Sequence, residues 1–355
     1  MQTKLVYVLT CAEDATYIEQ ALIAIWSARY YNRDAYIVLL VDDLTDSLLI
    51  GRRADLLEYI TEKIVVPFED QSSSMIYRSR YIKSQVRKIV TGDLLFVDCD
   101  TITCASLSNI DNIGCEIGAV PESNIPIEQF CDALYHSMDD NAKKMEWSPI
   151  HEKYYFSSGV IYAKDTEKGH ELFDKWHYYW SDGVKKGVNL DQPSLAKANI
   201  ECGHPIQPID NEWNCVMFTH PRWAKDAYIQ HYSWYRNMSF LFSKRVLNFI
   251  KENGLTDYIK HYILFPTESY IPFDSEFYCY RINDYLSRLK IVYKGMKNYA
   301  TYIDSSFIDY TPKNVIYKLL KQKMYFLAST MLLFLKWRRV RLSKTYKNEE
   351  NICSK

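Results

Sequence analysis

The sequence predicts an α/β fold: a mostly parallel central sheet with helices on both faces, followed by a mainly helical C-terminal extension. Three observations carry this. Short, continuously apolar runs recur through the first hundred residues, as strands buried on both faces require. Segments with apolar residues at helical spacing separate them. Past about residue 240 the texture becomes helical and rich in tyrosine, and no new carboxylates follow apolar runs.

In chain order, residues 5–9 read as the first strand. Residues 16–31 read as a helix, with Ile18, Leu22, Ile25 and Trp26 on one face and Thr16 placed as N-cap. A second apolar run, 36–41, ends in Asp42-Asp43. Residues 47–60 are expected to be helical, 63–67 a third strand, 75–90 a single basic helix and 93–97 a fourth strand. Strands are also expected at 118–120 and 159–163, and a helix at 168–180. Ligands of such sheets bind beyond the carboxyl ends of the strands, where residues 10–14 and 98–100 lie. Neither a glycine-rich dinucleotide turn nor a P-loop follows the first strand.

Apolar residues make up 48% and charged residues 25%, a globular composition that excludes wholesale disorder. The net charge of -1 conceals an asymmetry. From 311 to 355 eleven basic residues face two acidic ones, which gives this segment +9 and leaves -10 on the rest. Nine scattered cysteines without a C-x-x-C pair point to reduced thiols and a cytoplasmic setting. No secretion signal is read at the start of the sequence. The apolar stretch 324–335 is shorter than the ~20 residues a membrane span needs.

The most informative element is Asp98-Cys99-Asp100 after the run Leu94-Leu95-Phe96-Val97. Two carboxylates where a strand ends can face one hard cation, Mn²⁺ or Mg²⁺, with a diphosphate supplying further oxygens. Such an ion stabilises a departing nucleoside diphosphate.

Around this pair the chain resembles the GT-A glycosyltransferases of the glycogenin and lipopolysaccharide galactosyltransferase type (family 8), over roughly residues 4–240. The resemblance rests on Ala12-Glu13-Asp14-Ala15-Thr16-Tyr17, the basic helix with Arg78, Arg80 and Lys83, and Phe156-Ser157-Ser158-Gly159-Val160. It rests further on Asn189-Leu190-Asp191-Gln192, on Trp213-Asn214 and on a strand ending in His231. It implies a Rossmann-like GT-A domain over 1–240, with 241–355 as the extension, and a UDP-sugar donor, UDP-glucose or UDP-galactose. Asp98, Asp100 and His231 would hold the metal. Thr10, Ala12, Asp14, Tyr17, Arg80, Ser158, Gly159 and Arg236 would join Asp98 and Asp100 around the donor. Asp191, Gln192 and Arg80 would serve catalysis.

Three departures stand out. Ser157 replaces an expected Asn, Pro193 an expected acid, and the family's H-x-x-G-x-K-P-W continuation is missing, with Arg236 as the substitute cation. No carboxylate nucleophile is evident near Gln192, so transfer with retention by front-face attack is expected. A sugar-1-phosphate nucleotidyltransferase would want a glycine-rich basic loop at 10–16, which is absent. A non-catalytic nucleotide-sugar-binding scaffold remains the alternative of a different class.

The segment 311–345 reads as a basic amphipathic tail suited to peripheral contact with an anionic membrane at its cytoplasmic face. With the family, this points to a glycan or lipid-linked acceptor in surface polysaccharide synthesis. Nucleic acid is not expected as a partner, because the basic residues adjoin an apolar run rather than a stacking groove.

Overall fold

The computed structural model describes residues 1–68, 73–130, 132–217, 223–233, 239–266 and 269, with backbone alone at 133. The expected tail, 311–345, and Arg236 lie outside the described residues.

Among the described residues, ten strands form two sheets. Strands β1 (Lys4–Leu9), β2 (Ile37–Asp42), β3 (Glu62–Val66) and β4 (Leu94–Val97) are mutually parallel. After β5 (Thr101–Thr103) come β6 (Ile117–Pro121), β7 (Phe156–Ala163) and β8 (Ile206–Pro208). The large sheet runs β3-β2-β1-β4-β7-β6-β8, with β7 antiparallel to both neighbours and β6 parallel to β8. Thus β4, β6 and β8 present their carboxyl ends on the same edge of the sheet, and β7 begins there. A small second sheet joins β5, β10 (Ile229–His231) and β9 (Cys215–Val216), with β10 in the centre.

Successive side chains of a strand point to opposite faces, so the apolar runs feed two cores. Leu5, Tyr7, Leu9, Ile37 and Leu39 pack under helix α1 (Tyr17–Tyr31). Val6, Val8, Val38, Leu40 and Phe96 pack on the other side with Leu172 and Trp176 of α6 (Glu167–Lys185) and Leu195 of α7 (Gln192–Glu201). Burying a side chain the size of Trp176, fully enclosed here, contributes roughly 2–3 kcal/mol or more before entropy is counted. The first core continues past residue 240. Val246, Leu247 and Ile250 of α8 (Lys244–Asn253) and Ile259 and Ile263 of α9 (Asp257–Leu264) belong to it.

Three local expectations need correction. Residues 47–60 are not one helix but the short α2 (Asp43–Leu48) and a 3₁₀ stretch, Gly51–Tyr59, because Gly51 turns the chain at φ 56°. The basic helix divides into α3 (Met75–Lys83) and α4 (Val86–Ile89). At the division the Ser84 hydroxyl donates back to the Arg80 and Tyr81 carbonyls, a bond that competes with helix continuation. Thr16 occupies the N-cap position of α1 but makes no side-chain capping bond. Helix α5 (Asp132–Lys144), in the connection between β6 and β7, was not foreseen. Among the described residues no helix is long and apolar enough to cross a membrane. No disulfide joins the described cysteines.

Candidate metal and donor site

The site is built at the carboxyl end of β4. Asp98 and Asp100 follow that strand, and the chain then reverses into β5. There Thr101 pairs with His231 at the end of β10. The Tyr232 N–H donates to the Asp100 carbonyl at 2.9 Å, locking the two segments together. One ligand atom from each of Asp98, Asp100 and His231 lies within 4.8 Å of the others. The small sheet thus delivers a histidine from more than a hundred residues away to a carboxylate pair.

His231 is oriented from behind. Its Nδ1 lies 2.9 Å from the Oδ1 of Asn214, an acceptor that fixes the Nδ1–H tautomer and leaves Nε2 facing Asp100 Oδ1 at 3.1 Å. Asn214 is itself fully buried and donates to the Ser157 hydroxyl at 3.1 Å. Ser157, standing where an asparagine was expected, therefore supports the group that supports His231. Gly159 completes the cradle. A Cβ there would fall 2.2 Å from His231 Cε1 and 3.1 Å from Asp98 Oδ2, so only glycine lets the three side chains converge. Two carboxylates and an imidazole, with an enforced gap behind them, fit Mn²⁺ or Mg²⁺.

Electrostatics at this point are strongly coupled. Burial pushes the Asp98 carboxyl up to about 6, against the pull of Lys83. Burial acts on Asp100 in the same sense, but the His231 ring outweighs it and holds that carboxyl below its ordinary value. Burial disfavours charge on His231 too, and the Asp100 carboxylate more than offsets it, leaving the imidazole above its ordinary value.

The expected catalytic helix α3 contributes differently from the expectation. Lys83, passed over in favour of Arg80, is only 6% exposed and bridges two acids: Nζ lies 3.0 Å from Asp98 Oδ1 and 2.9 Å from Asp191 Oδ2. It also donates to Ser158 Oγ at 3.4 Å. Arg80 lies 3.6 Å from Asp191 Oδ1 and donates to the Asn189 carbonyl at 2.6 Å. Arg78, by contrast, is buried against Asp42 and anchors the helix.

A cavity of about 250 Å³ opens beside the triad, walled by Thr10, Tyr17, Gln20, Arg80, Lys83, Asp98, Asp100 and Asp191, among others. Gln20 was not anticipated; its Oε1 is buried on this wall without a hydrogen-bond partner, an acceptor open to a ligand. Thr10 spends its hydroxyl on the Met75 carbonyl at 2.8 Å. Ala12 and Asp14 are not among the residues walling the cavity, and Asp14 is exposed on the turn before α1.

Gln192 needs the clearest correction. A carboxylate does lie beside it: the Gln192 side chain donates to Glu122 Oε2 at 2.7 Å and to the Phe156 carbonyl at 2.9 Å. Glu122 directly follows β6, on the same sheet edge as Asp98. Ser123 and Asn124 after it adopt left-handed backbone, φ 56° and 60°, held by Asn124 bonds to the Asn214 carbonyl and the Val216 N–H. Backbone strain of this kind concentrates at functional sites.

No protein-family model matches the sequence, and no curated protein matches it. Solved structures do. The galactosyltransferase LgtC, solved in complex with donor and acceptor sugar analogs, is 16% identical, with a TM-score of 0.43 over 65% of this chain and 87% of its own. Mouse xyloside xylosyltransferase 1 is also 16% identical, with a TM-score of 0.42 over 65% and 98%. The glycosyltransferase GlyE of Streptococcus pneumoniae is 17% identical, with a TM-score of 0.45 over 77% and 66%. These solved structures are glycosyltransferases.

Proposed function

We propose that the protein is a metal-dependent glycosyltransferase that moves a hexose from UDP-glucose or UDP-galactose to a glycan or lipid-linked acceptor with retention at the anomeric carbon. The observation that carries this is the convergence of Asp98, Asp100 and His231 behind Gly159, beside a cavity with cationic side chains on its wall. These three residues would hold Mn²⁺ or Mg²⁺. When bound, such an ion offsets the charge that accumulates on a departing diphosphate.

The chain's own groups do the rest. Tyr17 and Gln20 offer an aromatic face and an open acceptor to the nucleotide. Arg80 faces the same cavity. Asp191, held by Lys83 and Arg80 and kept ionised below its ordinary range by those cations against burial, is placed to accept from donor sugar hydroxyls. Calorimetric titration of UDP with and without Mn²⁺ tests the reading. Binding indifferent to the metal would sink it, and UDP binding without transfer or donor hydrolysis would favour the scaffold alternative.

In front-face transfer the acceptor oxygen bonds to C1 as the bond from C1 to the diphosphate oxygen breaks, and the acceptor proton passes to that oxygen. Glu122 gives a second route a specific foothold: the carboxylate beside Gln192 would attack C1 as the bond from C1 to the diphosphate oxygen breaks, and the acceptor oxygen would then displace it from C1, its proton passing to the released diphosphate. Front-face transfer predicts a loss of about tenfold or less in kcat for Glu122→Gln. The covalent route predicts a loss of about 10³ or more, with azide restoring turnover in Glu122→Ala as a glycosyl azide. Peripheral attachment through residues 311–345 is part of the same proposal. Deleting residues 311–355 should release the protein from anionic vesicles, and continued binding would reject it.

A further inference from the structure

A second cavity, about 760 Å³, is a groove whose lining residues are distinct from those of the metal and donor cavity. It opens over the carboxyl ends of β6 and β8, where Pro121 and Pro208 form part of its wall. In the sheet, β6 lies two strands from β4, on the same edge, so the groove begins only about 10 Å from the strand that carries Asp98. The two are mechanically joined as well. The 3₁₀ turn Asn211–Asn214 contributes Asn211 and Glu212 to the groove and, through Asn214, orients His231.

The lining has a distinct chemistry. Tyr154, Trp223 and Tyr228 supply aromatic surface, and Tyr228 is stiffened by stacking on buried Trp213 with ring centroids 4.4 Å apart. The Asn109 amide donates to the Tyr228 hydroxyl at 3.3 Å, which fixes the ring further. Asp210, Glu212 and Asp226 supply carboxylates, and no lysine or arginine is among the described lining residues. Rigid aromatic faces take up the C–H faces of sugar rings, and carboxylates accept their hydroxyl hydrogens. The same carboxylates repel a phosphate or carboxylate group. A volume of this size lies within the ~300–1,000 Å³ of small-ligand sites.

We infer that this groove binds the acceptor as the end of an uncharged oligosaccharide, and that it excludes acceptors carrying phosphate next to the receiving sugar. The inference rests on the transferase reading and narrows it, because a sugar attached directly to a lipid diphosphate would not be accommodated.

The test is saturation-transfer NMR on the full chain with UDP and Mg²⁺ present. The probes are lactose, maltose and cellobiose, set against glucose 6-phosphate and galactose 6-phosphate. At least one neutral disaccharide is expected to bind and neither phosphate. Trp223→Ala should weaken that binding tenfold or more without changing UDP affinity. Asp226→Lys, at an exposed position where folding is not at stake, should shift preference toward the sugar phosphates. Binding of the phosphates by the native protein, or of no neutral sugar, would overturn the inference. So would a folded Trp223→Ala and Asp226→Lys that both leave binding unchanged. Sugar binding in this pattern without any UDP binding would instead remove the transferase reading and leave the groove assignment standing.

Discussion

Asp100→Ala is expected to abolish metal-dependent UDP binding, with Mn²⁺ affinity falling by well over a hundredfold and transfer becoming undetectable. The residue supplies one of three ligand atoms and the partner of His231 Nε2, so its removal takes a ligand and leaves the ring held only through Asn214. Losses of 10–100-fold are typical when only an outer hydrogen-bond partner of a metal ligand is removed. Asn214→Ala, which leaves all three ligands present but His231 unoriented, should fall in that smaller range. Isothermal titration of Mn²⁺ in the presence of UDP measures both variants. An Asp100→Ala protein that still binds UDP only with metal would show that the triad is not the metal site. The same titration has a defined pH dependence. Metal binding needs Asp98 and His231 unprotonated, and both hold their protons more tightly than usual, Asp98 with a pKa of about 6. Affinity should therefore rise with pH through about 6 as Asp98 ionises, and keep rising until it levels off above the ordinary imidazole range, where His231 has lost its proton. Affinity independent of pH between 5 and 8 would contradict this.

Lys83→Met should be among the most damaging single changes to stability, at about 3–5 kcal/mol, because it leaves two carboxylates facing each other in the interior. The lower end of that range applies, since the Asp98 side chain is 29% exposed and partly screened by water. Burial alone would lower the Lys83 pKa, but the charges of Asp191 and Asp98 raise it above its ordinary value. The stabilisation is therefore fully present below the unfolded-state value, and pH 5 and pH 8 both lie there. In the variant, protonation of the stranded acids relieves the repulsion, so the drop in Tm should be smaller at pH 5 than at pH 8. The drop itself should be roughly 5–15 °C at pH 8. Added Mn²⁺ should restore part of it, since a divalent cation near Asp98 returns positive charge to the pair. Calorimetric melting at the two pH values, with and without metal, checks each sign. A variant melting like the native protein throughout would show that the bridge contributes nothing net.

How much of this was legible in the sequence follows from the range over which each feature is determined. The central strands β1, β2 and β4 were, because a strand buried on both faces is apolar at every position, as Ile37–Val41 is, whereas the short β5, β8 and β9 were not foreseen. The pairing of Asp98 with Asp100 was, because two carboxylates directly after such a strand can face one ion, although Asp42 at the end of β2 shows that one such carboxylate can serve as a helix cap and ion-pair partner instead. His231 was reached only through resemblance, since its placement depends on β10 pairing with β5. Lys83 was visible on its helix, but a basic helix does not declare which side chain turns inward. Glu122 and Gln192 could not be joined from the sequence, because their contact requires β6 and the start of α7 to meet at one sheet edge. The rule that sites gather at carboxyl ends of parallel strands would have singled out Glu122, had β6 been recognised as running with β4.

The reversed strand β7 has a consequence for how such a protein can change. Because β7 runs against its neighbours, the connection from β6 to β7 leaves and re-enters the sheet at the same edge, as a hairpin-like excursion rather than a crossover. Its content, including α5, can lengthen, shorten or be exchanged while Gly159 and the strands beside it stay in register. The excursion begins at Glu122 and supplies Asn124, Ile125, Pro126 and Tyr154 to the groove, but none of the three triad residues. On the proposed reading, the acceptor groove can thus change through the outer part of this excursion without replacing any of the three triad residues.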